Sequence, residues 1–462
     1  MTTFDTNYAH NMATQLAGYD VQGSYSRLDR NKKDFQAQQK ALTTLSSALS
    51  TFQSKLSSLK GVGSGGTASM VQNKATLSSP DYATATVGGT AKAGSYQFHV
   101  AQLASKDQLV LGLQAGDLTG SGTLELGQNG AAGFAVDMAG ITTLEALAAK
   151  INDAADNSGV QASVVRSVSG GVTTDRLVLS SENTGADQAI TKVRIGGVDA
   201  ASTRVSTAKN AVVYLGSPVF NAGVIDDAQS IKLENSSNTF AGIADGLDLT
   251  FSKTHKEGDA PLSVDVAQDT SATKAKVQEF VDAYNTLMST IKTLTAAGGE
   301  DAERGPLAAD GMTRGIKSLV DNLVRQNVGG ESLVSLGITA KRDGGLELNG
   351  ERFDKMLASR PEVLDTVFKG NGSDKGLLDS LLDTQKGLAV YTSSVNGVLK
   401  SRKDSLADSL KRVDQQYERV DTQHQNLYQR YLKQYTAMVQ IMSSLEYTSS
   451  MYFDLPSAEK KK

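Results

Sequence analysis

The side chains able to do covalent chemistry are sparse and poorly placed for it. Cysteine is absent, which excludes disulfide staples, thiolate metal sites, iron–sulfur ligation and cysteine nucleophiles in one step. The four histidines, His10, His99, His255 and His424, are scattered along the 462 residues. His424 falls on an apolar helical stripe with no second histidine or carboxylate at a ligating interval, so it reads as a polar seam residue. His99 takes an outward position in a strand pattern and reads as a surface residue. Asp226 and Asp227 come nearest to a carboxylate pair for proton transfer, but adjacent strand residues point to opposite faces. No GxGxxG opening a helix, P-loop, HExxH, GxSxG or calcium loop occurs. A polysaccharide hydrolase would need two carboxylates facing across a cleft, and no motif marks one. The expectation is a protein that is not an enzyme and takes no cofactor or metal.

With little chemistry to position, the elements themselves must carry the function. A single core stops growing near ~250 to 300 residues, and a prior of roughly one domain per 150 residues predicts about three domains. Lys+Arg of 46 against Asp+Glu of 50 supplies no bulk field to draw nucleic acid or acidic membrane. The tail Lys460 to Lys462 is too short a basic cluster to change that. No run approaches the ~18 to 20 apolar residues of a membrane span, so no membrane insertion is expected. The N-terminus, MTTFDTNYAHNMATQLAGYD, lacks the basic start and apolar block of a Sec signal. The chain is therefore expected to stay in the cytoplasm or to leave by a route that reads no such signal.

Charge and glycine change along the chain and locate the domains. Residues 61 to 267 hold 26 of the 44 glycines, with 13 basic and 20 acidic side chains, leaving 33 basic and 30 acidic residues in the flanks. In the first flank Leu42, Leu45, Leu49, Phe52, Leu56 and Leu59 alternate steps of three and four, and no Gly or Pro interrupts Ser24 to Lys60. That run permits a helix of about 55 Å at ~1.5 Å per residue, whose 3.5-residue stripe asks for a partner helix. The expected partner lies at the other end of the chain. There Leu406, Leu410, Val413, Tyr417, Val420, Leu427 and Tyr431 repeat the alternation, continued by Gln434, Met438, Ile441 and Leu445, with no Gly or Pro from Val398 to Leu455.

The second flank opens with cap candidates Asp269, Thr270 and Ser271 before a broad apolar face of Val277, Phe280, Val281, Tyr284, Leu287, Met288, Ile291 and Leu294. A shorter helix follows Asp310, carried by Met312, Ile316, Leu319 and Leu323. Ile338 to Leu348, ITAKRDGGLEL, reads as a tight hairpin around Asp343-Gly344, and Pro361 starts a further helix. The middle reads as β, with alternation in Tyr96 to Val100, Leu247 to Phe251 and Leu262 to Val266. Inside it Thr142 to Glu145 forms a capping box before a helix on Leu144, Leu147 and Ile151, followed by strands at 160–166 and 176–180.

These segments carry a resemblance. The run Val264 to Asn285, VDVAQDTSATKAKVQEFVDAYN, with Leu336-Gly-Ile338 and its Asp-Gly hairpin, resembles the C-terminal half of the flagellar hook-associated protein 2 family, the filament-capping proteins. SPDYATA from Ser79 and GSYQFHVAQLA from Gly94 resemble its N-terminal half. ITTLEALAAKIN from Ile141 resembles the flagellin hook insert motif.

The resemblance implies an α+β multidomain fold, with terminal coiled-coil helices and a helical domain that carries inserted β-rich domains. The expected parts are a leg segment of 1–40 with 436–462, a helical bundle of 41–75 with 268–435, a β-rich domain of 76–118 with 207–267, and an α+β module at 119–206. It further implies a homo-oligomeric ring, commonly a pentamer, at the distal tip of the extracellular filament. Its partners would be flagellin, the flagellar type III export apparatus and an export chaperone, with export free of a cleaved signal. For filament-end contact the expected residues are Phe4, Tyr8, Met12 and Leu16, spaced by four, with Met438, Ile441, Met442 and Leu445. The other class left open is a tip adhesin binding mucin glycans, for which the 119–206 module offers only Phe134 as an aromatic platform.

Overall fold

The computed structural model describes residues 5–61, 69–118, 122–129, 132–169, 171–299 and 303–453. The chain forms two compact units, Met1–Gly63 with Lys274–Lys462, and Ser64–Thr273. The class is the expected one: long terminal helices, further helices and inserted antiparallel sheets.

The first unit begins with α1 (Thr6–Lys60). Asp5 caps it, accepting from Tyr8 N at 2.9 Å, and Gly61 ends it at φ 74°, a left-handed turn that glycine adopts without Cβ strain. The helix therefore starts well before Ser24, where the glycine-free run begins. It passes through Gly18 and Gly23, around which an added Cβ would meet open space. Two mid-helix glycines cost about 0.5 to 1 kcal/mol each relative to Ala, a penalty that pairing with a second helix offsets.

The second unit contains β1 (Asn73–Leu77), β2 (Ala83–Val87), β3 (Gly94–Gln102), β4 (Gln108–Leu111), β5 (Thr123–Gln128), β6 (Phe134–Asp137) and α2 (Leu144–Asn152). It continues through β7 (Val160–Ser169), β8 (Val172–Ser181), β9 (Ile190–Ile195), β10 (Val198–Asp199), β11 (Ser202–Ser206) and β12 (Ala211–Leu215). It closes with β13 (Phe220–Asn221), β14 (Val224–Ile225), β15 (Ile231–Asn235), β16 (Thr239–Ala244), β17 (Leu247–Phe251) and β18 (Leu262–Gln268).

Two sheets, ordered β1-β18-β3-β12-β15 and β16-β17-β2, enclose one core that includes Phe98, Val100, Val213 and Val264 from the first and Ala83, Phe240, Leu249 and Phe251 from the second. Strand β18 shows why: Leu262, Val264 and Val266 are buried while Asp265 points out, the period of two that a half-buried strand requires. His99 departs from its expected surface position. It is 3% exposed, because Phe220 of the β13–β14 hairpin and His255 of the loop after β17 cover it, with ring centroids 5.7 and 4.9 Å away.

A nested module joins sheets β10-β9-β5-β6 and β11-β4-β8-β7 to α2 around Leu124, Leu126, Phe134, Leu147, Ile151, Leu177 and Leu179. Leu109, Leu111 and Leu118 share this core, because β4 pairs with β8 and β11. The core of the module thus extends back to β4. The cap of α2 is Thr143, accepting from Ala146 N at 3.2 Å, one residue later than the expected Thr142. Where the chain passes between the two β parts, Asp107 is fully buried, accepts from Ile190 N at 2.6 Å and is ion-paired to Arg204.

The first unit resumes with α3 (Thr270–Leu294), α4 (Gly311–Val324), β19 (Ile338–Ala340), β20 (Leu346–Leu348), α5 (Gly350–Ser359), α6 (Glu362–Lys369), α7 (Leu377–Leu382), α8 (Ala389–Thr392) and α9 (Val398–Phe453). All eight apolar residues expected on the α3 face are buried, with Phe280 edge-on to Phe368 at 5.1 Å. The buried line of α4 is Thr313, Ile316, Val320 and Val324, rotated from the expected Met312, Leu319 and Leu323. Asp310 accepts from both Thr313 N and Thr313 Oγ1, which satisfies Thr313 and lets it face inward. The Asp-Gly hairpin forms, pairing Ile338 with Leu348, and Gly344 takes φ 89°.

Candidate functional site on the paired terminal helices

Helices α1 and α9 lie antiparallel, and their contacts give a register. Lys32 Nζ is 2.8 Å from Asp414 Oδ1, Tyr417 OH donates to Asp29, and Tyr25 OH donates to Asp421. Each step along α1 is matched by the equal step back along α9. Further toward the chain ends Tyr431 OH donates to Asp20 Oδ2 at 2.8 Å, His10 Nδ1 and Tyr428 OH are 2.7 Å apart, and Tyr8 stands edge-on to Tyr435 at 6.3 Å. The Asp29 carboxylate pushes the Tyr417 phenol up to about 12, and Asp421 raises that of Tyr25. Both phenols therefore stay neutral donors.

Small side chains form the line of closest approach. On α1 the buried residues near the terminus are Ala9, Ala13, Ala17, Val21 and Leu28. The expected Tyr8, Met12 and Leu16 lie beside that line, half-buried, and Phe4 lies outside the described residues. Alanine at four-residue intervals was the available signal, but it is weak next to the larger side chains one position away. On α9 Leu406 and Val413 are buried, whereas Leu410, Tyr417, Val420, His424, Leu427 and Tyr431 are half-buried.

The register also divides the other stripe. Residue 398, where α9 begins, stands opposite residue 48, so Leu42 and Leu45 face α9 and Leu49 sits at its start. Phe52, Leu56 and Leu59 are buried past the residue that faces the start of α9. There Lys55 approaches Glu279 of α3 at 3.9 Å and Lys60 pairs with Asp379 of α7 at 2.6 Å. By the same register residue 441 stands opposite residue 5, the cap of α1. Met438 is half-buried, and every residue from 440 to 451 is exposed, including Ile441 at 60%, Met442 at 40%, Leu445 at 59% and Met451 at 59%.

Asp226 caps its own turn, accepting from Ala228 N at 3.0 Å, while Asp227 accepts from Tyr214. No group of three or more His, Asp or Glu is placed to hold a metal among the described residues. Phe134, the sole aromatic between 119 and 206, is 3% exposed inside the module core and presents no platform to a glycan.

Comparison with known proteins follows this architecture. Residues 5–107 match the flagellar hook-associated protein 2 N-terminus, 221–447 its C-terminus and 119–183 the flagellin hook IN motif. A lateral flagellar hook-associated protein 2 of Vibrio parahaemolyticus is 34% identical, over 83% of this chain and 86% of its own. This chain belongs to the flagellar hook-associated protein 2 family. An A-type family member of Pseudomonas aeruginosa is 29% identical over 95% of this chain and 93% of its own. The fold is also that of the D1-D2-D3 domains of the flagellar cap protein FliD of Escherichia coli, with a TM-score of 0.62 at 24% identity, covering 79% of this chain and 99% of that one. The family's IN motif falls on β5 to β8 with α2, and its C-terminal match ends within the exposed end of α9.

Proposed function

We propose that this chain is a flagellar filament cap. It forms a homo-oligomeric ring, a pentamer, at the distal filament tip and promotes folding and polymerisation of exported flagellin without covalent chemistry. Family membership supports the cap role. The single observation that carries the mechanism is the exposed end of α9, where Ile441, Met442 and Leu445 lie past the start of α1 at Thr6 and meet no partner among the described residues.

A closed ring on a helical filament has mismatched symmetry, so its subunits must meet the filament end in unlike ways. A seam of alanines and half-buried tyrosines can shift at lower cost than one of interlocked leucines, because fewer apolar contacts are lost. Phe4, Tyr8, Met12, Leu16, Met438, Ile441, Met442 and Leu445 are the proposed contacts in the legs, 1–40 with 436–462. The helical bundle would wall the chamber and the β domains would form the plate. Export by the flagellar type III apparatus without a cleaved signal, and chaperone capture of the amphipathic end of α9, suit helices that pair only weakly near the terminus.

The test is deletion of 1–20 together with 440–462 in a motile bacterium relying on this chain for its cap. The expected product is secreted and folded but cannot retain flagellin, which appears as monomer in the medium. Filaments of normal length would defeat the proposal.

A further inference from the structure

The β domain of the second unit holds two buried histidines that the proposed filament contact leaves unused. His99 on β3 is 3% exposed and His255, in the loop between β17 and β18, is 7% exposed. Their ring centroids are 4.9 Å apart. Tyr82 stacks on His255 at 4.0 Å, and Phe220 stands edge-on to His99 at 5.7 Å. The four rings thereby tie the segment before β2, the 252–261 loop, β3 and the β13–β14 hairpin into one stack.

His255 also takes the place of a strand. Pairing of β18 with β3 ends at Leu262 and Phe98. Two residues further along β3, His255 N donates to Val100 O at 2.8 Å, and Val100 N donates to His255 Nδ1 at 3.0 Å. An imidazole that accepts at Nδ1 is neutral and carries its proton on Nε2. That Nε2 is buried and has no hydrogen-bond partner among the described residues. A second proton would have to enter at Nδ1, where it meets the Val100 N–H head-on, and it would set a cation beside the His99 ring.

Few surrounding groups would compensate that cation. The loop contributes Lys253, whose Nζ lies 4.8 Å over the Tyr82 ring, Lys256, Glu257 and Asp259, whose Oδ2 accepts from Lys256 N at 2.8 Å. Strand β12 contributes Tyr214, opposite His99, which donates to Asp227. Of these, Asp259 favours a charged histidine. Burial outweighs it for both rings and lowers them below the ordinary imidazole value, aided at His255 by His99.

We propose that His99 and His255 form an acid-released latch: a proton taken from solvent at His255 Nδ1 detaches the 252–261 loop from Val100 and uncovers the β13–β14 hairpin. The β domain loosens in mild acid while the helices of the first unit, which hold no such buried pair among their described residues, do not.

Amide hydrogen exchange of the full chain, corrected for intrinsic pH dependence, tests this at pH 7.5 and 5.0. Each unit by which folding lowers a histidine biases opening about tenfold in acid. Protection of Val100 is expected to be lower at pH 5.0 than at pH 7.5, with α3 unchanged. His255→Asn keeps an acceptor oxygen for Val100 but takes no proton, so its protection should hold at pH 5.0. Equal wild-type protection at the two pH values, or an Asn variant as acid-sensitive as wild type, overturns the latch. Should that variant not fold, histidine NMR of the wild type decides: both rings must titrate below the free value of ~6.5.

Discussion

Lys32 and Asp414, 382 positions apart in the chain, are joined by a 2.8 Å ion pair across α1 and α9. Their side chains are 40% and 58% exposed, so the pair contributes about 0 to 1 kcal/mol. Its importance is register, because Tyr417 with Asp29 and Tyr25 with Asp421 obey the same offset. Lys32→Glu should lower the melting temperature of the helix pair slightly, and Lys32→Glu with Asp414→Lys should restore it. A double-mutant cycle followed by circular dichroism checks this, and a coupling energy of zero would remove the pair from the register argument.

Ala13 is fully buried in the seam. Ala13→Leu inserts three carbons between two helices in close contact, and overpacking of this kind costs about 1 to 3 kcal/mol. Faster amide exchange in 6–24 and 425–438 is the expected readout. Unchanged exchange would mean that the alanine line does not set the approach of the helices.

Gly18 and Gly23 have open space where a Cβ would stand, and both are helical. Gly18→Ala and Gly23→Ala should each stabilise α1 by about 0.5 to 1 kcal/mol through lost unfolded-state entropy. Thermal unfolding by circular dichroism measures it. If the legs must flex on the filament, the double variant should also reduce swimming while remaining better folded.

Asp107 is fully buried beneath Arg204. Arg204→Ala leaves the buried Asp107 carboxylate with the Ile190 N–H but without its cation where the chain passes between the β parts, and because Arg204 is itself 36% exposed the loss should fall below the ~3 to 5 kcal/mol of a fully buried pair. Urea unfolding should show the second unit melting earlier. A midpoint equal to wild type would show that solvent reaches Asp107.

Burial and Asp227 push the Tyr214 phenol up to about 12 from its ordinary 10.0. The unfolded chain gives up this proton first, so the stabilisation is complete below pH 10 and is lost as pH rises toward about 12. Tyr214→Phe should flatten that alkaline decline, followed by unfolding midpoints alongside tyrosinate absorbance. A decline of equal size in the variant would assign the effect elsewhere.

Two kinds of information separate in this protein. Local pattern was legible wherever it repeated over many residues: the glycine-free run of α9, the α3 face, the alternation of β18 and the Asp-Gly hairpin each needed only their own periodicity. Family kinship was legible for the same reason, being spread over segments in order. The rotated face of α4 and the cap at Thr143 differ by one residue from expectation, since neighbouring stripes and adjacent threonines have nearly equal local preferences and the core chooses between them.

What the chain alone determined was the long helices and the main alternating strands, the expectation that the ends pair, and that conventional catalytic motifs are missing. Tertiary structure decided which of the apolar side chains are used for pairing. Ala9, Ala13 and Ala17, which the expected contact set did not include, became the seam, while Phe52, Leu56 and Leu59 are buried past the start of α9, where α1 meets α3 and α7. It also turned His99 from an expected surface residue into half of a buried pair, through a loop and a hairpin more than 100 residues away. Burial depends on what arrives from elsewhere in the chain, and no local periodicity carries that information.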